Sequence, residues 1–213
     1  MTEEEARSQI EALGHVSRET WMLLEKYVSL LLAGAQRQNL IAASTADHIW
    51  ARHILDSAQL LRFSPEVATG DWFDLGSGAG LPGIVIAIMS DWPVTMVETR
   101  RMRVEFLEET ATALGLKNVE VRGTKVEALA PTSAAIISAR AYAPLPRLLQ
   151  SASHLAGRET LWLLPKGKNA QKELEEIRPA WQGRFHVEHS LTDPDSVILV
   201  AQDVRAISRK GRS

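Results

Sequence analysis

The chain of 213 residues contains no cysteine, which excludes disulfides, thiolate metal sites and cysteine nucleophiles and agrees with a reducing compartment. No apolar run approaches the roughly 20 residues that a membrane-spanning helix requires. The opening Met1 to Arg7, with Glu3, Glu4 and Glu5, has the wrong charge for a secretory signal. A cytoplasmic protein with no membrane partner is therefore expected. Internal repeats and Pro/Gly/Ser-rich linkers are also missing, and no Gly-Lys-Ser/Thr closes a glycine run, which removes the P-loop class. No Ser/His/Asp motif or metal-ligand cluster stands out; His186 and His189 bracket a short strand with Glu188, which does not make a metal site.

With 45% apolar and 23% charged residues, the chain has enough apolar surface for a sizeable core and suits one domain. The net charge of −2 is unevenly spread: residues 1–66 carry 6 basic and 9 acidic side chains, 67–130 again 6 and 9, and 131–213 carry 12 and 8. The late positive charge is compatible with an anionic partner.

The hydrophobic period changes along the chain. Trp21, Leu24, Val28, Leu31 and Ala35 recur at helical spacing behind a Ser17 cap, and Trp50, Ile54, Ser57 and Leu61 repeat it behind Ser44. Residues 1–66 therefore read as an N-terminal helical cap. From residue 67 to 204, short apolar runs alternate with helical segments. Strands are predicted at 72–75, 94–97, 119–121, 134–138, 161–164, 185–188 and 197–200, and helices at 82–90, 100–114, 144–155 and 169–177. The fold class is α/β: a Rossmann-like, seven-stranded, mostly parallel sheet covered on both faces, with an antiparallel hairpin at its end. A basic tail, 205–213, follows with Arg205, Arg209, Lys210 and Arg212, expected to be mobile and to contact phosphate.

The motif that carries chemistry is Asp74-Leu75-Gly76-Ser77-Gly78-Ala79-Gly80-Leu81-Pro82-Gly83, placed after the first strand and opening a helix. Its glycines at 76, 78 and 80 permit tight turning and close approach of a ligand to the backbone. Glu98 ends the next strand, where a carboxylate can accept the vicinal hydroxyls of a ribose. Nucleoside binding follows. Gly78 to Gly83 also satisfies the dinucleotide fingerprint, but Asp74 offers a carboxylate to a sulfonium amino acid, and Pro82 removes a helix-end N–H that a pyrophosphate would use. Both details favour S-adenosylmethionine (AdoMet), with a dinucleotide-dependent oxidoreductase and a small-molecule methyltransferase as alternatives. A noncatalytic RNA-binding module would carry a module signature, and none is present.

These residues resemble the bacterial small-subunit rRNA guanine-N7 methyltransferases, the glucose-inhibited division protein B family. The resemblance runs from about Trp21 to Val200 and rests on Asn39-Leu40, Arg52-His53-Ile54-Leu55-Asp56-Ser57, the Asp74 to Gly83 loop, Arg103-Val104-Glu105-Phe106-Leu107, Arg140-Ala141 and Lys166-Gly167. It implies a class I AdoMet-dependent methyltransferase acting on guanosine N7 at position 527 of 16S rRNA, alone or within the small ribosomal subunit. The cofactor positions it implies are Gly76, Leu81, Glu98, Val126, Glu127 and Arg140, beside Asp74, Gly78 and Gly80 of the loop. This chain has Glu98-Thr99 and Met102-Arg103-Val104 where the family commonly reads Asp-Ser and Lys-Arg-Val, so a family lysine is missing and Arg100 or Arg101 stands nearby. Likewise Ala139 precedes Arg140 where a serine is common, and Ile41 replaces a threonine.

N7 carries an unprotonated lone pair, so its methylation needs alignment more than a general base. Arg140 and Lys166 each follow a predicted strand and are the expected positioning cations. Arg52, His53, Arg103, Tyr142 and Lys166 are expected on the substrate side, with Tyr142 as a stacking ring. Arg52 and Asp56 also have the spacing of an exposed helical ion pair, with His53 as neighbour. Trp21, Tyr27 and Trp50 read as core. A monomer is expected.

Overall fold

The computed structural model describes residues 1–14 and 16–207. The strands are β1 (Trp72–Leu75), β2 (Val94–Val97), β3 (Val119–Arg122), β4 (Ala134–Ser138), β5 (Ala156–Lys166), β6 (Trp181–His189) and β7 (Val197–Ala206). They form one sheet in the order β3-β2-β1-β4-β5-β7-β6. β1 to β5 are parallel where they pair, and β7 is antiparallel to both β5 and β6. All four residues of β2 are buried, as expected of a strand covered on both faces. The chain leaves β1 for β2 and β3 on one side, then returns to place β4 on the other. That reversal opens a crevice at the carboxyl ends of β1 and β4, where open α/β sheets bind ligands.

Helices α1 (Glu3–Ala12) and α2 (Arg18–Ala35) precede the sheet. A rod of changing wind follows: a 3₁₀ stretch (Ala43–His48), a π-helical turn (Trp50–Leu55), the short α3 (Asp56–Ala58) and a second 3₁₀ stretch (Gln59–Phe63). The sheet helices are α4 (Gly83–Met89), α5 (Arg101–Leu114), α6 (Leu145–Ala152) and α7 (Ala170–Ile177). The α1, α2 and rod residues share one apolar core with α4, α5 and one face of the sheet, centred on Tyr27, Ile54, Trp72, Ile84 and Leu107. The α6 and α7 residues cover the opposite face through Leu148, Leu149, Leu174 and Ile177.

Four differences from the sequence reading have local causes. Helix α1 was not foreseen, although Thr2 and Glu5 form a reciprocal capping box: Thr2 Oγ1 accepts the Glu5 N–H at 3.1 Å and Glu5 Oε2 accepts the Thr2 N–H at 2.7 Å. Behind Ser44 the chain is not uniformly α-helical, because Glu3 reaches across to accept the N–H groups of Trp50 and Ala51 at 2.9 and 3.2 Å. β6 and β7 exceed the predicted runs because antiparallel pairing carries past the apolar residues, and β5 does so through Ala156, which pairs in parallel with Ala134, and through Pro165 and Lys166, which pair with β7. Arg205 accordingly lies in β7 rather than in a tail and pairs with Asp203 at 3.4 Å; Arg209, Lys210 and Arg212 lie outside the described residues.

Candidate active site

The glycine loop is closed from beneath by Asp74. Trp72 Nε1 donates to Ser138 Oγ at 2.9 Å, Ser138 Oγ donates to Asp74 Oδ1 at 2.9 Å, and the Gly83 N–H donates to Asp74 Oδ2 at 3.1 Å. The carboxylate thus joins the end of β1 to the start of α4. Burial pushes its pKa up to about 6, with the Ser77, Ser138 and Gly83 hydrogen bonds acting in the opposite direction. Asp74 is fully buried, so it holds the loop and does not face a sulfonium amino acid, contrary to the sequence expectation. Gly80 and Leu81 also turn inward. Gly80 has φ +91°, and a Cβ there would press on Ile84 and Leu107, while the Leu81 side chain is part of the core.

Above the loop lies a cavity of about 500 Å³, lined by Gly76, Val97, Glu98, Arg103, Val126, Glu127 and Tyr142, among others. Glu98 is oriented by three backbone donors: Gly78 N–H to Oε2 at 3.0 Å, and Thr99 and Arg100 N–H to Oε1 at 2.7 and 2.9 Å. A carboxylate offers about four acceptor sites, so Oε2 retains one for a ribose hydroxyl. Buried Val97 and Val126 supply apolar walls. Gly76 sits so near Tyr142 that a Cβ would stand 2.6 Å from its ring. A bare loop, an oriented carboxylate and an apolar slot fit the nucleoside of AdoMet. Gly78 contributes its N–H to Glu98 and does not line this cavity.

The helical cap supports that cavity directly. Tyr27 Oη, fully buried, donates to the Ala79 carbonyl at 2.9 Å. Arg103 Nη2 donates to the Asn39 carbonyl at 3.1 Å while its Nη1 lies 3.8 Å from Glu98 Oε2. Arg103 therefore tethers the cap to the cofactor cavity, a different place from the substrate side expected of it. Arg101 is 90% exposed and paired with Glu105, whereas Arg100 lines the cavity.

A second cavity, about 490 Å³, lies across the Ala141-Tyr142-Ala143 wall, and Asp56, Arg140, Lys166 and Glu173 line it. Ala141 holds φ +53°, which costs a non-glycine residue about 1 kcal/mol or more. Arg140 Nη1 donates to Asp56 Oδ2 at 3.2 Å and to the Arg52 carbonyl at 3.3 Å. Both its terminal nitrogens lie 3.4 Å from His53 Nδ1. Thr45 Oγ1 spends its proton on the Ala42 carbonyl at 2.7 Å and must accept from His53 Nε2 at 2.8 Å. His53 is therefore the Nε2–H tautomer, with Nδ1 accepting from Arg140. Burial first, then Arg140 and Arg52, lower its pKa to about 4, so it is neutral near pH 7. The Arg52–Asp56 pair suggested by spacing does not form: Arg52 Nη1 reaches Asp193 Oδ2 at 2.7 Å. Asp56 Oδ1 accepts from Gln59 Nε2 and Thr192 Oγ1, both at 3.0 Å. Lys166, the last residue of β5, is nearly buried and donates to Glu173 Oε2 at 2.8 Å and the Ala143 carbonyl at 3.2 Å.

The family model for rRNA small subunit methyltransferase G matches residues 21–194. The chain belongs to that family. It is 48% identical to ribosomal RNA small subunit methyltransferase G of Zymomonas mobilis subsp. mobilis over 217 residues, covering 99% of this chain and 98% of that one. Identity to the Rhizorhabdus wittichii protein of the same name is 50% over 219 residues, covering 100% and 99%. Among solved structures, a SAM-dependent methyltransferase from Aquifex aeolicus shares the fold with a TM-score of 0.60 at 16% identity, over 80% of this chain and 98% of that one. This member of the methyltransferase G family is an AdoMet-dependent methyltransferase.

The sequence reading missed three parts of this methyltransferase. Glu173 sits in a helix of ordinary charged residues, and only the fold brings it to Lys166. The turn between β6 and β7 reaches the rod because the Leu191 N–H donates to Gln59 Oε1 at 2.8 Å. Glu3 enters the sequence reading only as a charge against a signal peptide; the Thr2–Glu5 capping-box spacing was the available sign of α1.

Proposed function

We propose that this methyltransferase transfers the methyl group of AdoMet to N7 of a guanosine in 16S rRNA. AdoMet supplies an electrophilic methyl on its sulfonium. The observation that carries the reading is the pair of cavities sharing the Tyr142 wall, one with the Glu98 acceptor and the other with two cation–carboxylate pairs. Glu98, Val97, Val126 and the bare backbone at Gly76 hold the nucleoside, with Glu127 at the rim. Arg140 and Lys166 belong to the second cavity, where Arg140 fixes the wall through Asp56 and His53 and Lys166 positions the base. Neutral His53 has both ring nitrogens engaged inside the protein, so it is a poor general base. Attack by N7 requires none, because its lone pair forms the new N–C bond as the S–C bond breaks. None of the described helices is long and apolar enough to cross a membrane, and a ribosomal substrate supports a cytoplasmic site of action.

The test is incubation with AdoMet and small ribosomal subunits, or 16S rRNA, that lack N7-methylguanosine, followed by borohydride and aniline cleavage at 7-methylguanosine. One new cleavage site is expected. Methyl incorporation at another base atom, or none into rRNA under conditions where AdoMet binds, overturns the reading.

A further inference from the structure

Two charge pairs line the second cavity, and their hydrogen bonding differs. In Arg140–Asp56, both carboxylate oxygens accept from protein donors, and the guanidinium is shared among Asp56, the Arg52 carbonyl and His53. That pair is satisfied internally and joins the cap to the sheet. In Lys166–Glu173, Oε2 accepts from Lys166 at 2.8 Å and from the Leu145 N–H at 2.7 Å, and no donor among the described residues meets Oε1. Lys166 spends two of its three N–H groups, on Glu173 and Ala143, and keeps the third. The two side chains are only 10% and 20% exposed and both line the cavity, so these free valences are within reach of a base bound there.

The geometry points to Lys166 and Glu173 as the reader of the guanine base, Lys166 donating to O6 and Glu173 Oε1 accepting from N1–H. This rests on the guanosine-N7 reading above and names the residues that select the base within it. A donor beside an acceptor is complementary to guanine, which presents O6 beside N1–H. With N7 constrained to face the cofactor cavity, adenine presents the reverse order and would set its amino group against the ammonium and its bare N1 against the carboxylate. The usual arginine fork grips O6 and N7 together and would cover the nucleophile; a pair acting on O6 and N1 leaves N7 free. The arrangement also favours the transition state. As N7 gains its methyl group the ring becomes cationic, N1–H becomes a stronger donor, and its bond to the Glu173 carboxylate strengthens, which is the differential binding that raises kcat. No proton leaves the base.

The experiment uses the whole enzyme and small-subunit RNA carrying guanine, inosine or 2-aminopurine at the target position. Inosine keeps O6 and N1–H; 2-aminopurine keeps N7 but lacks both. For the parent, inosine is expected within about fivefold of guanine in kcat/KM, and 2-aminopurine at least about 100-fold lower. In Glu173→Gln, whose amide oxygen can still accept the Leu145 N–H, the guanine rate should fall at least about tenfold, mainly in kcat, while the 2-aminopurine rate does not fall, because the amide N–H can donate to its bare N1, and AdoMet affinity stays unchanged. Lys166→Met should compress the same ratio. Equal losses on guanine and 2-aminopurine, in Glu173→Gln and Lys166→Met alike, would show that the pair only braces β5 against α6 and overturn the inference. So would a parent that methylates 2-aminopurine as fast as guanine. A parent that methylates no guanosine N7 overturns the functional reading itself, and the assignment of a guanine reader falls with it.

Discussion

The two cavities are built in opposite ways. The floor of the cofactor cavity comes from near neighbours in sequence, a strand end, the glycine loop and the acid after the next strand, held by Asp74, Gly80 and backbone N–H groups, while Val126, Glu127 and Tyr142 close it from later in the chain. The second cavity gathers residue 56 from the rod, 140 from the end of β4, 166 from β5, 173 from α7 and the turn around 190–196. Local chain geometry determines the floor of the first; the second exists only where cap, sheet and hairpin meet. The difference teaches that a ligand site shaped by backbone withstands changes in distant packing, while one shaped by long-range ion pairs depends on the whole assembly.

That contrast can be broken most severely at Gly80. Gly80→Val forces a branched side chain into φ +91° against Ile84 and Leu107, and should cost about 3 kcal/mol or more of stability in urea unfolding. A Val variant as stable as the parent would remove the claim that this loop is shaped by its glycine.

The two regions should also titrate in opposite directions. Asp74 has a pKa of about 6 in the fold and about 3.9 in the unfolded chain, so between these values the native state holds a proton that the unfolded state has lost. Its stabilising contribution is complete below about pH 4 and is lost as pH rises towards 6. His53 has a pKa of about 4 folded and about 6.5 unfolded, so the unfolded state binds the extra proton. Its contribution is complete above about pH 6.5 and is lost as pH falls towards 4. Each swing is on the order of 3 kcal/mol, and in the parent they nearly cancel. Asp74→Asn should make stability rise more steeply with pH than in the parent, and His53→Gln should make it rise less steeply. Unfolding free energies from pH 4 to 7 decide this; unchanged slopes in both variants refute the assignments.

Smaller still is the expected effect of Glu98→Gln. Replacing the charged acceptor of a ribose hydroxyl by an amide should weaken AdoMet binding about tenfold by calorimetry and leave the guanine-to-2-aminopurine ratio unchanged. A shifted ratio would show that the cavities are coupled through Tyr142. The smallest effect belongs to Arg101→Ala: Arg101 is almost wholly exposed and its partner Glu105 about half, and neither the unfolding midpoint nor methylation should change measurably.

Much of the sheet was legible because apolar runs bounded by turn residues fix strand positions independently of what packs on them. The Ser17 cap on α2 was readable for the same local reason. The rod from 43 to 63 was not, because its wind changes where Glu3, 47 residues earlier in the sequence, caps Trp50. Asp74 could be located in sequence but not oriented: a carboxylate before a glycine loop looks the same whether it faces a ligand or turns beneath the loop. Spacing placed Arg52 beside Asp56, yet each took a distant partner: Asp56 meets Arg140 in a shielded pair, and Arg52, nearly half exposed, reaches Asp193.

By itself the sequence determined the order of strands and helices, the nucleoside-binding loop with its downstream acid, and the resemblance to a family, because these reside in contiguous residues and their spacing. Only the tertiary structure decided that Asp74, Gly80 and Leu81 turn inward, that His53 is a neutral acceptor for Arg140, and that Lys166 meets Glu173. Each of those depends on burial and on partners brought together by chain segments distant in sequence, and hydrogen bonds in a shielded interior are set by which groups remain after the backbone has taken its share.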